Sequence, residues 1–542
     1  MIAWSQHLII LPILLPLLTG TALLFIADRQ RVVKAMVSLA STIALAVVSL
    51  MLVGVIAGQG SFDGVYLLGN WEAPFGIVLV ADRLSAFMVA LTAVLAVPVL
   101  TFSLARWHSA GAHFHSLYQF LLMGLNGAFL TGDLFNLFVF FEVMLASSYG
   151  LVLHGSGPLR VKAGMHYIVV NLAAALLFLI GVSLIYGTAG TLNMADLAER
   201  IPAIEPDRRM LMEAGAAVLG VAFLVKAGMW PLCFWLPSAY SVAAAPVAAI
   251  FTLMSKVGVY IILRLTLLLF SEGPSAGFGS EVLLYGGMAT LAFGTIGVLA
   301  SQALGRIGAY SVLVSSGTLL AVIGLADAAA TSAALLYLLS STLTLGAFFM
   351  LVELVERSQD AGATVLAVTM EAYGDADDDI PEEVEGVTMP ATLAMLGICF
   401  AACTILLSGL PPLSGFVAKF AMLSALIGTG SIGVPPSGSA LVLVALVILG
   451  GLATLIALTR AGIRTFWSSI EGTVPRVLVM EIVPVMLILA VTAALTVKAG
   501  PALAYMEATI RSVERPSLYS GAVRQVMPVP SWRDSQPSSG GD

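Results

Sequence analysis

Four ionisable residues stand inside long apolar stretches: Glu142 in LFNLFVFFEVMLASSYGLVL, Lys226 in GAAVLGVAFLVKAGMW, Lys256 in AIFTLMSKVGVYIIL and Lys419 in SGLPPLSGFVAKFAMLSALI. A lysine or glutamate at the centre of a spanning helix costs roughly 2.5 to 3.5 kcal/mol on insertion scales. Such groups face a protein interior or a water-filled path and mark routes for ions or protons. The chemistry they point to is the movement of charge across a membrane.

The elements that must carry them follow from composition. The 542 residues are 59% hydrophobic and 10% charged, with a mean hydropathy of +1.01, which excludes a soluble globule. Apolar runs of the length that spans a bilayer recur about 14 times. They cover residues 5–26, 33–57, 81–103, 115–131, 133–153 and 164–189. A seventh starts near Met210 and an eighth ends near Phe270; the rest are 281–303, 307–326, 331–354, 390–428, 440–460 and 477–499. The expected fold is therefore an all-α polytopic membrane protein with no room for a soluble catalytic unit. The expected divisions are N-terminal helices over 1–110, a first repeat over 111–270, a second over 281–470, a last helix over 471–508 and a mobile tail over 509–542.

The net charge of −7 is local in origin. Residues 358–389 hold nine of the 31 carboxylates and no Lys or Arg, and the acids elsewhere are fewer than the 24 bases. This insert reads as a solvated connector. Cys233, Cys399 and Cys403 lie in apolar segments without metal-ligand spacing and read as core residues. The opening MIAWSQHLII lacks a basic region, so the first run is expected to be a retained helix. Lys and Arg cluster in alternate loops, at Arg29, Arg31 and Lys34, Arg106, Arg160 and Lys162, Arg306, and Arg460, Arg464 and Arg476. By the positive-inside rule those loops are cytoplasmic and both termini external. Arg200, Arg208 and Arg209 run against the rule, accompanied by Asp196, Glu199, Glu205 and Asp207.

Two runs carry breaks. WPLCFWLPSAY interrupts the seventh with Pro231 and Pro237, and GLPPLSG interrupts the twelfth with Pro411 and Pro412. Proline removes a backbone donor and clashes with the preceding turn, and irregular backbone at membrane depth survives only inside protein or beside a wet cavity. A pair of interrupted helices in two halves of a chain is the sequence pointer to a transporter built from inverted repeats. Lys226 lies before its break and Lys419 after its own, an opposite placement that suits inversion.

FNLFVFFEVMLASSYGL, FLVKAGMWPLCFWLPSAYSVAAAPVAAI, LMSKVGVYIILR and LSGLPPLSGFVAKF resemble the antiporter-like proton-pumping membrane subunits. That family comprises the large membrane subunits of respiratory complex I, hydrogenase relatives, and the D subunits of Mrp-type (also Mnh or Pha) multisubunit cation/proton antiporters. The resemblance covers about residues 75–500 and is strongest to the D subunits, because the closing residue of helix twelve is lysine, as at Lys419. It implies a glutamate on helix five paired with a lysine on helix seven, a lysine on helix eight and a closing residue on helix twelve. These fall on Glu142, Lys226, Lys256 and Lys419. It also implies sibling membrane subunits of A, B, C, E, F and G types as partners, with H⁺ and Na⁺ or K⁺ as the transported ions. No cofactor, resident metal or nucleic acid is expected.

A free lysine, with a pKa of about 10.4, passes its proton on near pH 7 only if its ammonium is destabilised by roughly 4 kcal/mol. Apolar surroundings supply effects of that size, and a neighbouring carboxylate opposes them. On the implied pairing, Glu142 is a switch: beside it Lys226 keeps its proton, apart from it the proton moves to Lys256, and Lys419 closes the path. The bland alternative is a static buried ion pair that fixes helix packing. Many relatives continue the route with His or Lys on helices ten and eleven, where this chain has Ser315, Ser316, Ser340, Ser341 and Thr344. Hydroxyls hold no proton near neutral pH, so that stretch requires ordered water. Asp82, Asp133 and Glu353 lie near helix ends, the first two as a candidate external funnel, and His166 as a candidate path residue on helix six. His108, His113 and His115 are too unevenly spaced for a metal site.

Three functions compete. A transporter subunit exchanging monovalent cations for protons leads, and the scarcity of deep carboxylates places the cation's own crossing elsewhere, in a sibling subunit. A proton-pumping subunit of a quinone oxidoreductase or membrane hydrogenase is the alternative, with redox chemistry left to partners because the sequence has no CxxC array and no GxGxxG in a βαβ setting. A passive scaffold leaves the deep charges unexplained.

Overall fold

In lipid every backbone N–H and C=O must be bonded within its own segment, so apolar runs become helices. The computed structural model describes residues 7–27, 29–58, 64–373, 391–428, 436–466 and 477–528, with side chains in 358–373 excepted. The membrane helices are α1 (Leu11–Phe25), α2 (Arg31–Gly58), α3 (Arg83–Ser103), α4 (Phe114–Leu130), α5 (Leu134–Val152), α6 (Pro158–Ala189) and α7 (Pro206–Ala227). They continue as α8 (Ala245–Leu269), α9 (Ser280–Ala300), α10 (Leu304–Leu325), α11 (Ala328–Tyr373), α12 (Ala391–Ser408), α13 (Ser414–Ile427), α14 (Gly438–Phe466) and α15 (Val479–Val497). Twelve of the described helices are long and apolar enough to cross a bilayer. The shorter α1 and α4 pack in the same bundle, and α13 follows α12 across the gap at Pro411 and Pro412.

The bundle has an inside and an outside. Every residue of the most apolar window of α8 is buried, and α10 and α11 are buried over nearly all of theirs, whereas α2, α6 and α15 expose most of their length. The exposed side chains there, such as Val169, Leu176 and Ile180 on α6, are apolar, as a surface facing acyl chains or neighbouring helices must be. The helix that carries Lys256 is thus the most enclosed of the described bundle.

One end of the bundle is closed by structure the sequence did not foretell. A hairpin pairs β1 (Val65–Leu67) antiparallel with β2 (Val78–Val80), Val65 opposite Val80, and bridges join Leu79 to Thr131 and Asp133 to Asn193. On the same side lie two amphipathic helices, α16 (Ala499–Val513) and α17 (Pro516–Gln525). The Tyr505 hydroxyl donates to the Arg83 carbonyl at 3.0 Å, and Arg524 pairs with Glu199. The expectation of a mobile tail from residue 509 is therefore corrected: residues up to 525 are helical and packed, and 529–542 lie outside the described residues. Two of the three arginines that broke the charge rule are tied down here. Arg200 bonds Asp196 at 2.9 Å and Arg209 donates to the Ile204 carbonyl at 3.0 Å.

The acidic insert needs a similar correction. At about 1.5 Å per residue the 46-residue α11 far exceeds the roughly 30 Å of a bilayer core, so helix rather than loose connector continues from residue 358 to Tyr373. Residues 374–390, with most of the carboxylates, lie outside the described residues.

Candidate functional site

The two breaks have a common design. α7 stops at Ala227 because Gly228 takes a left-handed φ of 76° as its cap, and the Trp235 indole donates to the Val225 carbonyl at 3.2 Å. Pro231 lies in the break that follows. Pro237 does not break anything, contrary to expectation: it occupies the first turn of the short helix Trp235–Val242, where its missing N–H has no intrahelical acceptor to lose. α12 ends at Ser408, and Pro411 and Pro412 occupy the gap before α13. Lys226 sits in the last turn of α7, and the Lys419 ammonium donates to the Leu407 and Ser408 carbonyls at 2.9 and 3.0 Å. The lysines that flank their breaks in opposite order in sequence thus both sit at the carbonyl end of a half-helix, where a cation is favoured by the unpaired carbonyls and the helix dipole.

Lys226 is buried and shares one small cavity with Glu142 and Asn171, walled by Phe138, Phe141 and Phe178. Its ammonium does not pair with Glu142 as the resemblance implied. It donates to the Asn171 side-chain oxygen at 3.0 Å and stands 5.7 Å from the centre of the Tyr167 ring, while one Glu142 carboxylate oxygen is buried without a hydrogen-bond partner. The two side chains line the same cavity without a direct bond between them. Asn171 is a site residue that the sequence reading passed over. Its signal was the i−4 spacing to Tyr167, which puts both on the inward face of α6. His166, one residue from Tyr167, is exposed on the outer face of α6 and is removed from the path.

α8 crosses α7 where it carries Gly258. A Cβ there would lie 2.7 Å from both the Ala227 nitrogen and the Phe223 oxygen, so only glycine permits the approach that brings the Lys256 and Lys226 regions together. Lys256 is fully buried. Its ammonium donates to the hydroxyls of Ser315 at 2.9 Å and Ser316 at 3.3 Å. Ser315 bonds Ser341 at 3.0 Å, and Ser340 bonds Ser414 at 2.9 Å. Ser315, Ser340 and Ser341 line one small cavity with Tyr337, Gly415 and Thr454, and the Tyr337 ring also faces the Lys419 ammonium, 6.0 Å from its centre. Thr344 does not join the line; its hydroxyl returns to the Ser340 carbonyl at 2.7 Å, a bond that satisfies the helix backbone.

Gly409 tests how tightly the closing lysine is held. It has φ 79°, and a Cβ would meet the Lys419 Cδ at 2.5 Å. Gly409→Ala is expected to displace Lys419 from its carbonyls and lower exchange activity. The left-handed backbone itself adds about 1 to 2 kcal/mol of destabilisation, so melting and activity measured on one preparation should both fall, activity by far more.

The two funnel candidates have other partners. Asp133 caps α5, accepting from the Phe135 and Asn136 N–H groups at 2.8 and 2.9 Å. Asp82 caps α3 and is buried against Arg264 of α8, which donates to it through both guanidinium arms and to the Tyr260 hydroxyl at 3.1 Å. Arg264, two turns beyond Lys256, closes LMSKVGVYIILR and was available in the sequence as a further deep charge. At the opposite end Glu353 accepts from the Trp107 indole at 2.7 Å and from Arg357 at 3.3 Å, and Arg357 and Arg106 both bond the buried Glu481. Among the described residues no cluster of His, Cys, Asp and Glu has metal-holding geometry.

Ionisable groups enclosed by apolar helices, two of them beside helix interruptions, characterise a polytopic helical membrane protein. A sequence profile described as NADH:quinone oxidoreductase/Mrp antiporter, TM, matches residues 131–444, a span that contains Glu142, Lys226, Lys256 and Lys419. The chain belongs to that family. It is 60% identical over 527 residues to the D subunit of a probable K(+)/H(+) antiporter from Rhizobium meliloti, covering 96% of this chain and 98% of that protein. It is 33% identical over 534 residues to the D subunit of the Na(+)/H(+) antiporter from Alkalihalophilus pseudofirmus, covering 96% and 99%. In structure it resembles a chain of the Mrp complex from Dietzia sp., with TM-score 0.80 at 25% identity, covering 96% and 100%. The fold is shared with a chain of respiratory complex I from Thermus thermophilus, with TM-score 0.73 at 20% identity, covering 93% and 99%.

Proposed function

We propose that this chain is the proton-conducting D-type member of a multisubunit antiporter that exchanges K⁺ or Na⁺ for H⁺ across a bacterial membrane. Glu142 sets whether Lys226 holds its proton, Lys256 receives it, hydroxyls and the water they order carry it on, and Lys419 releases it at the far break. The observation that carries this reading is the bonded run Lys256–Ser315–Ser341, which occupies the stretch where the sequence offers no titratable side chain. A hydroxyl both donates and accepts, so such a run orients water for proton transfer and needs no charge of its own. The exposed apolar faces of α2 and α6 support contact with lipid and sibling subunits. The 60% identity to a K(+)/H(+) antiporter component favours exchange over a role in quinone reduction.

Ser315→Ala combined with Ser341→Ala tests it. ΔpH-driven cation exchange by the whole complex in proteoliposomes should fall about tenfold or more, in line with the loss of roughly 1.5 to 3 kcal/mol carried by a hydrogen bond to a charged group. Threonine at both positions should restore much of it. Full exchange in the alanine pair rules out the hydroxyl link.

A further inference from the structure

Away from the buried line, a cavity of about 290 Å³ opens between the start of α2, the loop 109–113 and the start of α4. Its ionisable lining is cationic or imidazole throughout: Arg31, Lys34, His108, His113 and His115. Among the described residues no carboxylate lines it. Two of its polar side chains are almost wholly enclosed yet unsatisfied within the protein. His115 is 4% exposed and Ser116 1%, and neither His115 ring nitrogen nor the Ser116 hydroxyl has a hydrogen-bond partner. Buried polar groups in native proteins are bonded to protein, water or ligand, because leaving one unmade costs about 1 to 3 kcal/mol. The first turn of α4 adds backbone N–H groups of Phe114, His115 and Ser116, which have no intrahelical acceptor and carry the positive end of the helix dipole.

We propose that this cavity binds a phosphate-type oxyanion, as the headgroup of an anionic phospholipid or as a free phosphate group. The donors are of the kind such a group takes: a guanidinium, an ammonium, imidazole N–H, a hydroxyl and helix N-terminal amides. The volume is several times the roughly 30 Å³ a water occupies, enough for a phosphate with its substituents. Position favours the lipid. The charge pattern places this end at the cytoplasmic surface, where anionic headgroups concentrate. α2 continues from the cavity as an exposed apolar stripe through Val32, Met36, Ile43, Val47 and Leu50, a track for acyl chains beneath a headgroup held at Arg31 and Lys34. His108, beside His115 with ring centres 5.7 Å apart, has its proton affinity lowered by burial and then by the Arg31 charge, so the charge attracting an anion comes from Arg31 and Lys34.

The full-length chain, purified in detergent with the subunits that accompany it, is melted with phosphatidylglycerol, with phosphatidylcholine, and with millimolar inorganic phosphate. Wild type is expected to melt several degrees higher with phosphatidylglycerol than with phosphatidylcholine. Arg31→Glu, a change at an exposed position, and His115→Phe, which keeps the ring volume, are expected to lose that difference while matching wild type without lipid. A shift with inorganic phosphate of the same size, lost in the same variants, assigns the site to a free oxyanion. Equal melting in the two lipids together with no phosphate effect, or a phosphatidylglycerol shift retained in both variants, overturns the proposal. Co-purified phosphatidylglycerol, quantified per chain by mass spectrometry, provides a readout that does not depend on stability: it should drop in each variant.

Discussion

Alanine at Glu142, Lys226 or Lys256 is expected to abolish ΔpH-driven cation exchange in everted vesicles, a loss of at least about 100-fold, the scale on which positioned acid–base groups act. The complex should remain detectable in the membrane. Lys256 is wholly buried and held by two serine hydroxyls, and removing a charge from such a place relieves a desolvation cost as it removes a packing contact. Lys226→Arg separates a relay from a static ion pair. An arginine preserves the positive charge opposite Glu142 and is not deprotonated in proteins, so a packing role survives the change and a proton-releasing role does not. Near-normal exchange by the arginine variant would leave Lys226 with structure alone.

A large effect of a different kind is expected at the other deep charge pair. Arg264→Leu strands the Asp82 carboxylate, and Asp82→Leu strands the guanidinium, both in buried surroundings. Breaking one side of a buried pair typically costs about 3 to 5 kcal/mol, whereas replacing both partners with apolar residues is often neutral. Each single variant should therefore be depleted from membranes or melt well below wild type, and the Asp82→Leu, Arg264→Leu double variant should recover. The pair joins α3 to α8, so it fixes the helix that carries Lys256 at its depth. If the double variant is stable yet inactive, Asp82 and Arg264 also take part in transport; if it is stable and active, their role is structural.

Much of this was legible in the sequence because a bilayer leaves the chain few choices. Length and apolarity alone placed most of the spanning helices, although the run expected to end at 354 continues to Tyr373, and charges inside them drew attention to Glu142, Lys226, Lys256 and Lys419. What stayed hidden depended on pairing across helices. Asn171 took the bond expected of Glu142, and an asparagine in an apolar helix gives no titratable signal. Asp82 read as an interfacial carboxylate because its partner Arg264 lies 182 positions away. His166 and Tyr167 are neighbours in sequence on opposite faces of α6, and only the packing decides which one looks inward. Pro237 read as a second break because proline is disruptive in a helix interior and harmless in a first turn, and the turn's starting point was invisible. The hairpin and the helices α16 and α17 are short, and α16 and α17 are half-polar, which is the composition of a loose tail until a surface is present to bury one face.

The relay through this chain is tested most directly by following proton and cation fluxes together in proteoliposomes holding the assembled complex, with Lys256→Ala against wild type at equal protein. A pH-sensitive dye inside the vesicles reports protons and radiolabelled rubidium or sodium reports the cation. Both fluxes are predicted to vanish together in Lys256→Ala, because exchange cannot proceed once its proton path is cut. Proton-coupled cation flux at the wild-type rate would contradict the account and send the proton by another route.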